Sequence, residues 1–364
     1  MKVLQIINSL GTGGAEKLLL DTIPRYVAQG IEMDILLLDS KKTPFFQQLE
    51  ALKCCNIYHA AKDNSVYSPR HIRAIIPFLK KYDLAHVHLF PAQYWAVLAK
   101  KLSGASIKLI FTEHNTTNRR LEHPLLRRID KLLYQYYDRT VCITSGIRDV
   151  LIKHTGLPQA RFPVIENGVD LAQIKEAMPM PKSAIQKQLK DEDKLFIQVA
   201  GFREQKDQAT LIRALTHLPQ HVKLLLVGDG ITRPTCEALV DTLGLRDRVL
   251  FLGQRTDVAR LLKSADIVVL SSHYEGLSLS SIEGMASGKP FVASNVPGLK
   301  EVVGGAGLLF DQGDDAGLAG VLSKLIENKE WYNQVATQCV QRAEQYDIQK
   351  MVNQHIELYE YICS

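Results

Sequence analysis

The sequence predicts an α/β chain of two doubly wound domains, each a parallel sheet covered by helices on both faces. Three observations predict it. Short apolar, β-branched runs such as Ile267–Leu270 recur along the chain and read as buried parallel strands. Helical stretches separate successive runs, which is the β-α-β alternation of a parallel sheet. The alternation pauses near Asp170 and begins again near Leu195, so it occurs twice. With 364 residues, 46% of them hydrophobic, the chain can bury two cores.

In the first half the strands fall at Val3–Ile7, Asp34–Leu38, Leu84–His88, Lys108–Thr112 and Thr140–Thr144. Between them lie helical stretches, among them Ala15–Ala28, Arg70–Lys81 and Pro124–Asp138. In the last of these, the apolar positions 125, 126, 129, 132, 133 and 136 read as a core-facing stripe. Its basic and aromatic residues leave a membrane-facing edge as the other reading. The join between halves is marked by Asn167-Gly168-Val169-Asp170, a turn signal, and by Met178-Pro179-Met180-Pro181-Lys182. The polar stretch Lys187–Lys194 reads as a connection with a lead-in helix. The second series places strands at Leu195–Ala200, Val222–Val227, Val249–Leu252, Ile267–Leu270 and Phe291–Ser294. Its helices fall near Ala209–Thr216, Pro234–Leu243, Val258–Ser264 and Ser278–Ala286. Ligands of such sheets bind beyond the carboxyl ends of the strands, so two such domains facing each other would enclose a cleft.

Composition narrows the class. The six cysteines (54, 55, 142, 236, 339, 363) form no Cys-x-x-Cys pair and have no histidine at metal spacing, so they read as reduced thiols of a cytoplasmic protein. Met1 leads directly into a strand, which does not read as a signal peptide. No run approaches the ~20 apolar residues of a spanning helix, so the expectation is a soluble or peripheral protein. The net charge of +5 is unevenly divided. Residues 1–170 hold 23 Lys+Arg against 15 Asp+Glu and the remainder 21 against 24, completing the totals of 44 and 39. A positive first half suits an anionic partner, either a phosphorylated acceptor or a lipid surface; scattered solvated lysines are the plainer reading. No nucleic-acid partner is expected.

The chemistry-bearing residues follow strands. Glu275 and Glu283 stand eight positions apart across the start of the helix that follows Ile267–Leu270. Gly276 allows a tight turn, Ser278 suits an N-cap, and helix N-terminal amides favour phosphate. Two acids flanking such a site fit a sugar nucleotide, one gripping sugar hydroxyls and the other the ribose. Gly201-Phe202-Arg203-Glu204-Gln205-Lys206 follows the first strand of the second half, where Arg203 and Lys206 can meet a diphosphate. Val227-Gly228-Asp229-Gly230 and the Gly253–Asp257 loop, with Arg255, end two further strands, as close-approach loops or ordinary turns. Asp191-Glu192-Asp193 precedes its strand and reads as solvated charge. Gly11-Thr12-Gly13-Gly14-Ala15-Glu16 opens the first helix, but Glu16 occupies the position where a dinucleotide fingerprint needs its third glycine. Asp39 ends the second strand, so a nicotinamide reading stays open. His88 and His114 fall at strand ends, as cleft residues or as locally satisfied histidines. No third ligand suggests a metal site.

Taken together, these residues resemble the retaining glycosyltransferases of the GT-B class known as glycosyltransferase family 4, over essentially the whole chain. The ordered set carries the resemblance: Gly13-Gly14-Ala15-Glu16, Asn167-Gly168-Val169-Asp170, Val227-Gly228-Asp229-Gly230, and the Glu275 and Glu283 pair. The resemblance implies two Rossmann-like domains: 1–170 for the acceptor and 171–345 for the nucleotide sugar, with 346–364 crossing back onto the first. It implies that Glu275 binds donor-sugar hydroxyls while the amides of Gly276, Leu277 and Ser278 meet the diphosphate. Glu283 would hold the ribose, Arg203 and Lys206 would balance phosphate charge, and residues around Arg255 and Gly228 would border the nucleotide. His114 would lie near the transferred sugar, the Gly13–Gly14 loop would face donor phosphate and acceptor, and Glu16 and His88 the acceptor side. One departure stands out. The family places its phosphate arginine directly after the glycine ending this strand; aligned on Lys206, Gly201 takes that place and Arg203 follows two residues later.

The expected reaction is transfer of a sugar from a nucleoside-diphosphate donor, UDP-linked, to a hydroxyl acceptor with retention at the anomeric carbon. The family's front-face mechanism needs no enzyme nucleophile, no metal and no cofactor. The implied acceptor is a glycan on a lipid carrier at the inner membrane face, in surface polysaccharide synthesis. A same-fold sugar-nucleotide epimerase, a nicotinamide oxidoreductase and a non-catalytic binding scaffold are the alternatives.

Overall fold

A computed structural model describes residues 1–11, 13–60, 65–114 and 124–364, with the side chain of Leu125 outside the description. Thr12 of the glycine loop and Asn115 beside His114 also lie outside the described residues. The chain forms two compact units: Met1–Gly168 with Ile348–Ser364, and Val169–Asp347.

The first unit holds β1 (Lys2–Ile7), β2 (Glu32–Leu37), β3 (Ile57–His59), β4 (Leu84–His88), β5 (Lys108–Glu113) and β6 (Arg139–Cys142). They pair in parallel in the order β3-β2-β1-β4-β5-β6. The second unit holds β7 (Lys194–Val199), β8 (Val222–Val227), β9 (Val249–Gly253), β10 (Ile267–Leu270), β11 (Phe291–Ser294) and β12 (Leu308–Phe310). Their order, β12-β11-β10-β7-β8-β9, repeats the first sheet's, again all parallel. In each sheet the strand order reverses beside the first strand, between β1 and β4 and between β7 and β10. Loops leaving the two strands there diverge to opposite faces and open a crevice. Burial follows the doubly wound design: β4 and β10 are buried at every residue.

Several expectations are corrected. The sequence reading lacks β3 and β12; each is a three-residue edge strand, too short for a periodic signal and present only because β2 and β11 offer open edges. The strand expected at Thr140–Thr144 ends at Cys142, because Thr144 becomes the N-cap of helix Ser145–Thr155, its hydroxyl accepting from Ile147 N at 3.2 Å. Asn167–Asp170 is not a reverse turn. Val169 runs beside Asp347 in a parallel bridge, its amide bonded to the Tyr346 carbonyl at 2.9 Å, and Asp170 caps the next helix. No helix forms over 187–193; a single turn at Lys182–Ile185 precedes it. Asp193 is not solvated. It is 3% exposed, and its carboxylate accepts from the Lys190 amide at 2.8 Å while Lys182 Nζ reaches the carbonyls of Asp191 and Asp193.

The helix Pro124–Tyr134 also turns a different face inward. Asp130, Leu133 and Tyr134 are buried, with Tyr94 Oη donating to Asp130 at 2.7 Å and Tyr134 Oη to Glu113 at 2.7 Å. Leu126, Ile129, Leu132 and the following Tyr136 are left exposed. These two hydrogen bonds, one buried and one partly buried, with His154 Nε2 3.5 Å from the other Asp130 oxygen, account for the helix rotation, because an unpaired buried carboxylate costs more than exposed leucine side chains.

Candidate functional site

In the second unit the two loops singled out by sequence lie at the reversal point of the sheet, one after β7 and one after β10. They are stitched together along their length. His273 N donates to the Gln205 carbonyl at 2.8 Å, and Gln205 Nε2 donates to the Tyr274 carbonyl at 2.7 Å. One residue further along each loop, Lys206 Nζ meets Glu275 Oε1 at 2.6 Å, with side chains 19% and 6% exposed. Ser272 Oγ donates to the same oxygen at 2.6 Å. Glu275 Oε2 makes no hydrogen bond among the described residues.

The lysine is positioned from behind. It ends the one-turn 3-10 helix Glu204–Lys206, and Gln198 Nε2 on β7 holds its carbonyl at 2.9 Å. The next residue, Asp207, has a left-handed backbone (φ 41°), and its carboxylate caps helix Gln208–Ala214 through Thr210 N. Aspartate tolerates that region because its side chain bonds locally. The glutamate is held from below by the Val296–Leu299 turn: Glu275 N donates to the Pro297 carbonyl at 3.1 Å. Gly298, at φ +86°, lies so close that an added Cβ would overlap the Glu275 and Gly276 carbonyl oxygens.

Ser278 is the N-cap residue of helix Leu279–Ala286 as expected, but its hydroxyl makes no capping bond. Leu277 and Ser278 are buried at 6% and 7% exposure, and Gly276 is half-buried. Glu283 is half-buried in the middle of this helix. Gly228 follows β8 at φ +134°, where a Cβ would overlap the Ala200 carbonyl, so only glycine lets the β7 and β8 loops approach. Arg203 is exposed, and its guanidinium makes no hydrogen bond or ion pair among the described residues, while its backbone bonds the Gly201 carbonyl and the Lys206 amide. Arg255 instead forks onto Asp257 at 2.8 and 2.7 Å, which raises its pKa further and lowers that of Asp257.

In the first unit, Gly13 is the N-cap and Gly14 the first residue of helix Gly14–Ala28. Gly13 has an ordinary extended backbone (φ −86°); what it provides is room, since a Cβ there would meet the Glu16 carboxylate folded back over the loop. Across the reversal point, His88 ends β4 and His114 follows β5. His88 Nε2 lies 2.8 Å from Gln5 Oε1 and its Nδ1 3.2 Å from His114 Nε2. His88 is 5% exposed, with both ring nitrogens engaged. His86 packs 4.3 Å away, between Tyr359 Oη and Thr112 Oγ1 at 2.6 Å each. His355 Nδ1 lies 3.0 Å from Tyr26 Oη. Burial lowers all four histidine pKa values, His114 to about 4 and His355 to about 3, so the cluster is neutral near pH 7. A cavity of about 20 Å³, room for one water, lies among these histidines and Asn167.

The structure therefore joins Lys206 to Glu275 and His88 to His114, two pairings the sequence reading had not made. It also adds Gln5, Gln198, Ser272, Gly298 and Tyr359. Some signal for these exists: His86 and His88 share a strand face, and His355 and Tyr359 are one helical turn apart. That the two pairs meet requires knowing that the last helix, Ile348–Cys363, packs against the first. Among the described residues no group of three His, Cys, Asp or Glu is arranged to hold a metal, and no helix is long and apolar enough to cross a membrane. Asp39 is buried, burial raising its pKa, with His59 Nδ1 on its carbonyl at 2.8 Å.

Comparison with known proteins adds a family pattern to each half: Glycosyltransferase Family 4 over residues 12–173 and Glycosyl transferases group 1 over residues 180–346. The N-acetyl-alpha-D-glucosaminyl L-malate synthase of Bacillus anthracis is 30% identical over 291 residues, 76% of this chain and 74% of that protein. The UDP-Gal:alpha-D-GlcNAc-diphosphoundecaprenol alpha-1,3-galactosyltransferase of Escherichia coli is 26% identical over 236 residues, 60% of this chain and 59% of that one. In fold, Anabaena HepE in complex with UDP-glucose matches with a TM-score of 0.85 at 22% identity, over 99% of this chain and 100% of HepE.

Proposed function

The chain belongs to glycosyltransferase family 4 and is a glycosyltransferase of GT-B fold, and from that premise we propose that it moves a sugar from a UDP-linked donor to an acceptor hydroxyl with retention of configuration. The observation that carries the reading is the Glu275 carboxylate, fixed through Oε1 by Lys206 and Ser272 and left with Oε2 for a ligand. A carboxylate so held can accept hydrogen bonds from sugar hydroxyls but is already committed as a positioning group, which suits a mechanism without an enzyme nucleophile. The leaving diphosphate needs charge stabilisation. Lys206, the exposed Arg203 and the amides of Gly276, Leu277 and Ser278 are the preorganised groups proposed for it. The departing phosphate oxygen takes the acceptor's proton as the new glycosidic bond forms on the same face. Glu283 is assigned to the ribose, Gly228 and the backbone around Arg255 to the base, Gly13, Gly14 and Glu16 to the phosphate and acceptor side, and His114 to a sugar hydroxyl.

The UDP assignment is supported by the UDP-glucose complex of HepE, and a lipid-linked glycan acceptor by the Escherichia coli relative's name. The name of the Bacillus anthracis relative favours a second acceptor reading, a small hydroxy acid. A cytoplasmic location with peripheral attachment to an anionic membrane is part of the proposal, the attachment supported by exposed Leu126, Ile129, Leu132 and Tyr136 beside Arg127, Arg128 and Lys131. No metal and no cofactor are assigned to the reaction.

The test is a radiolabelled transfer assay with UDP-, GDP- and ADP-sugars against lipid-linked and soluble acceptors, with the anomer read by NMR. A retained anomer from a UDP-sugar, unchanged by chelator, supports the proposal; an inverted anomer or strict metal requirement overturns the mechanism. Salt-independent behaviour with anionic liposomes removes the electrostatic part of the membrane case.

A further inference from the structure

We propose that Gln5 and His88 are positioning residues that fix the tautomer of His114, so that His114 presents a bare Nδ1 and accepts a hydrogen bond from a hydroxyl of the bound sugar substrate; this rests on the transferase reading above. The argument runs along three side chains. Gln5 Oε1 is a carbonyl oxygen and can only accept, so the His88 Nε2 that faces it at 2.8 Å carries a proton. His88 is buried, and burial together with His114 and His355 keeps it neutral. Its Nδ1 is therefore a lone pair, and the His114 Nε2 facing it at 3.2 Å must donate. His114 is itself neutral through burial, which leaves its Nδ1 without a proton. That atom has no hydrogen-bond partner among the described residues.

The Gln5 amide sets the sense of the whole chain, and its surroundings set the amide. Gln5 Nε2 faces the Met33 sulfur at 3.3 Å and the Tyr359 hydroxyl. Turned over, the amide would place its oxygen against a thioether that has no proton to give, and the Tyr359 hydroxyl could donate to it only by giving up donation to His86 Nδ1, which it meets at 2.6 Å. His88 would then accept from Gln5, donate to His114, and leave His114 protonated on Nδ1. The two orientations give opposite predictions for one atom. In the orientation found, His114 selects a hydroxyl and is unfavourable to carboxylate or phosphate oxygen at the same place, because neither side supplies a hydrogen.

The test is long-range proton–nitrogen NMR of the full-length, ligand-free protein labelled with 15N-histidine near pH 7, which separates the two tautomers. His88 and His114 both in the Nε2–H form support the assignment; His114 protonated on Nδ1 overturns it. In Gln5→Leu the accepting oxygen is gone, so both rings should populate both tautomers and kcat should fall on the order of 10-fold. An unchanged His114 tautomer in that variant overturns the positioning role. His88→Gln supplies one donor and one acceptor, and should recover turnover and the Nε2–H form relative to His88→Leu; equal loss in both variants with an unchanged tautomer also overturns it. Because the spectrum is recorded without substrate, failure of sugar transfer would refute the reaction and leave the tautomer assignment standing on its own measurement.

Discussion

Gly298→Ala gives the sharpest separation between holding the fold and holding the site. The glycine sits at φ +86°, and its added Cβ would overlap the carbonyl oxygens of Glu275 and Gly276. The backbone conformation alone costs about 1–2 kcal/mol for an L side chain. Relieving the overlap requires moving two backbone carbonyls on the order of 1 Å, since ordinary carbon–oxygen contacts lie near 3.3–3.6 Å. Those carbonyls belong to the loop carrying Glu275, so the shift is delivered to its carboxylate and to the Lys206 ion pair. A misplacement of that size costs on the order of 100-fold in turnover. The stability loss should remain within about 2–4 kcal/mol, because the displaced carbonyls belong to the loop after β10 and can shift without opening the β10–β11 core. The assay pairs urea unfolding with initial rates of sugar transfer. A folded Gly298→Ala protein that transfers sugar at the wild-type rate would refute the claim that this turn sets the position of Glu275.

Three further outcomes follow from the same geometry. Lys206→Ala leaves the 6%-exposed Glu275 carboxylate with Ser272 alone, and should cost about 2–4 kcal/mol by chemical denaturation; Lys206→Met with Glu275→Leu should restore stability but not transfer, and a double-mutant cycle without coupling would contradict the pair. Arg203→Ala removes an exposed side chain, so Tm should hold while UDP affinity falls roughly 10-fold by calorimetry; undiminished affinity would remove Arg203 from the phosphate site. His114 and His355 titrate near 4 and 3 when folded against 6.5 when unfolded, so their contribution is complete above pH 6.5 and is lost as pH falls towards those values. By pH 5 the loss should be about 2 kcal/mol for each; a urea midpoint unchanged between pH 7 and pH 5 would show that the cluster is not buried in the neutral form.

By itself the sequence determined the alternation of strands and helices, the place where it restarts, and the loops that carry chemistry. β4, β8, β10 and β11 fall at the residues their apolar runs indicate. Those features are local: burial on both faces writes itself into a run of four to six residues, and a glycine or an acid after it marks the loop. Only the tertiary structure decided which strands are neighbours. β7 and β10 are separated by some 70 residues of chain, and nothing in either run says that they adjoin where the strand order reverses. That placement turns Lys206 and Glu275 from two motif residues into one ion pair, and in the first sheet the adjacency of β1, β4 and β5 brings Gln5, His88 and His114 into one line. The same dependence explains the error over Pro124–Tyr134. Its apolar stripe was legible, but the rotation is set by Asp130 and Tyr134 meeting Tyr94 and Glu113 from other segments. Hydrophobic period is a property of neighbouring residues, whereas the pairing of buried polar groups depends on distant ones, and leaving such groups unpaired is costly.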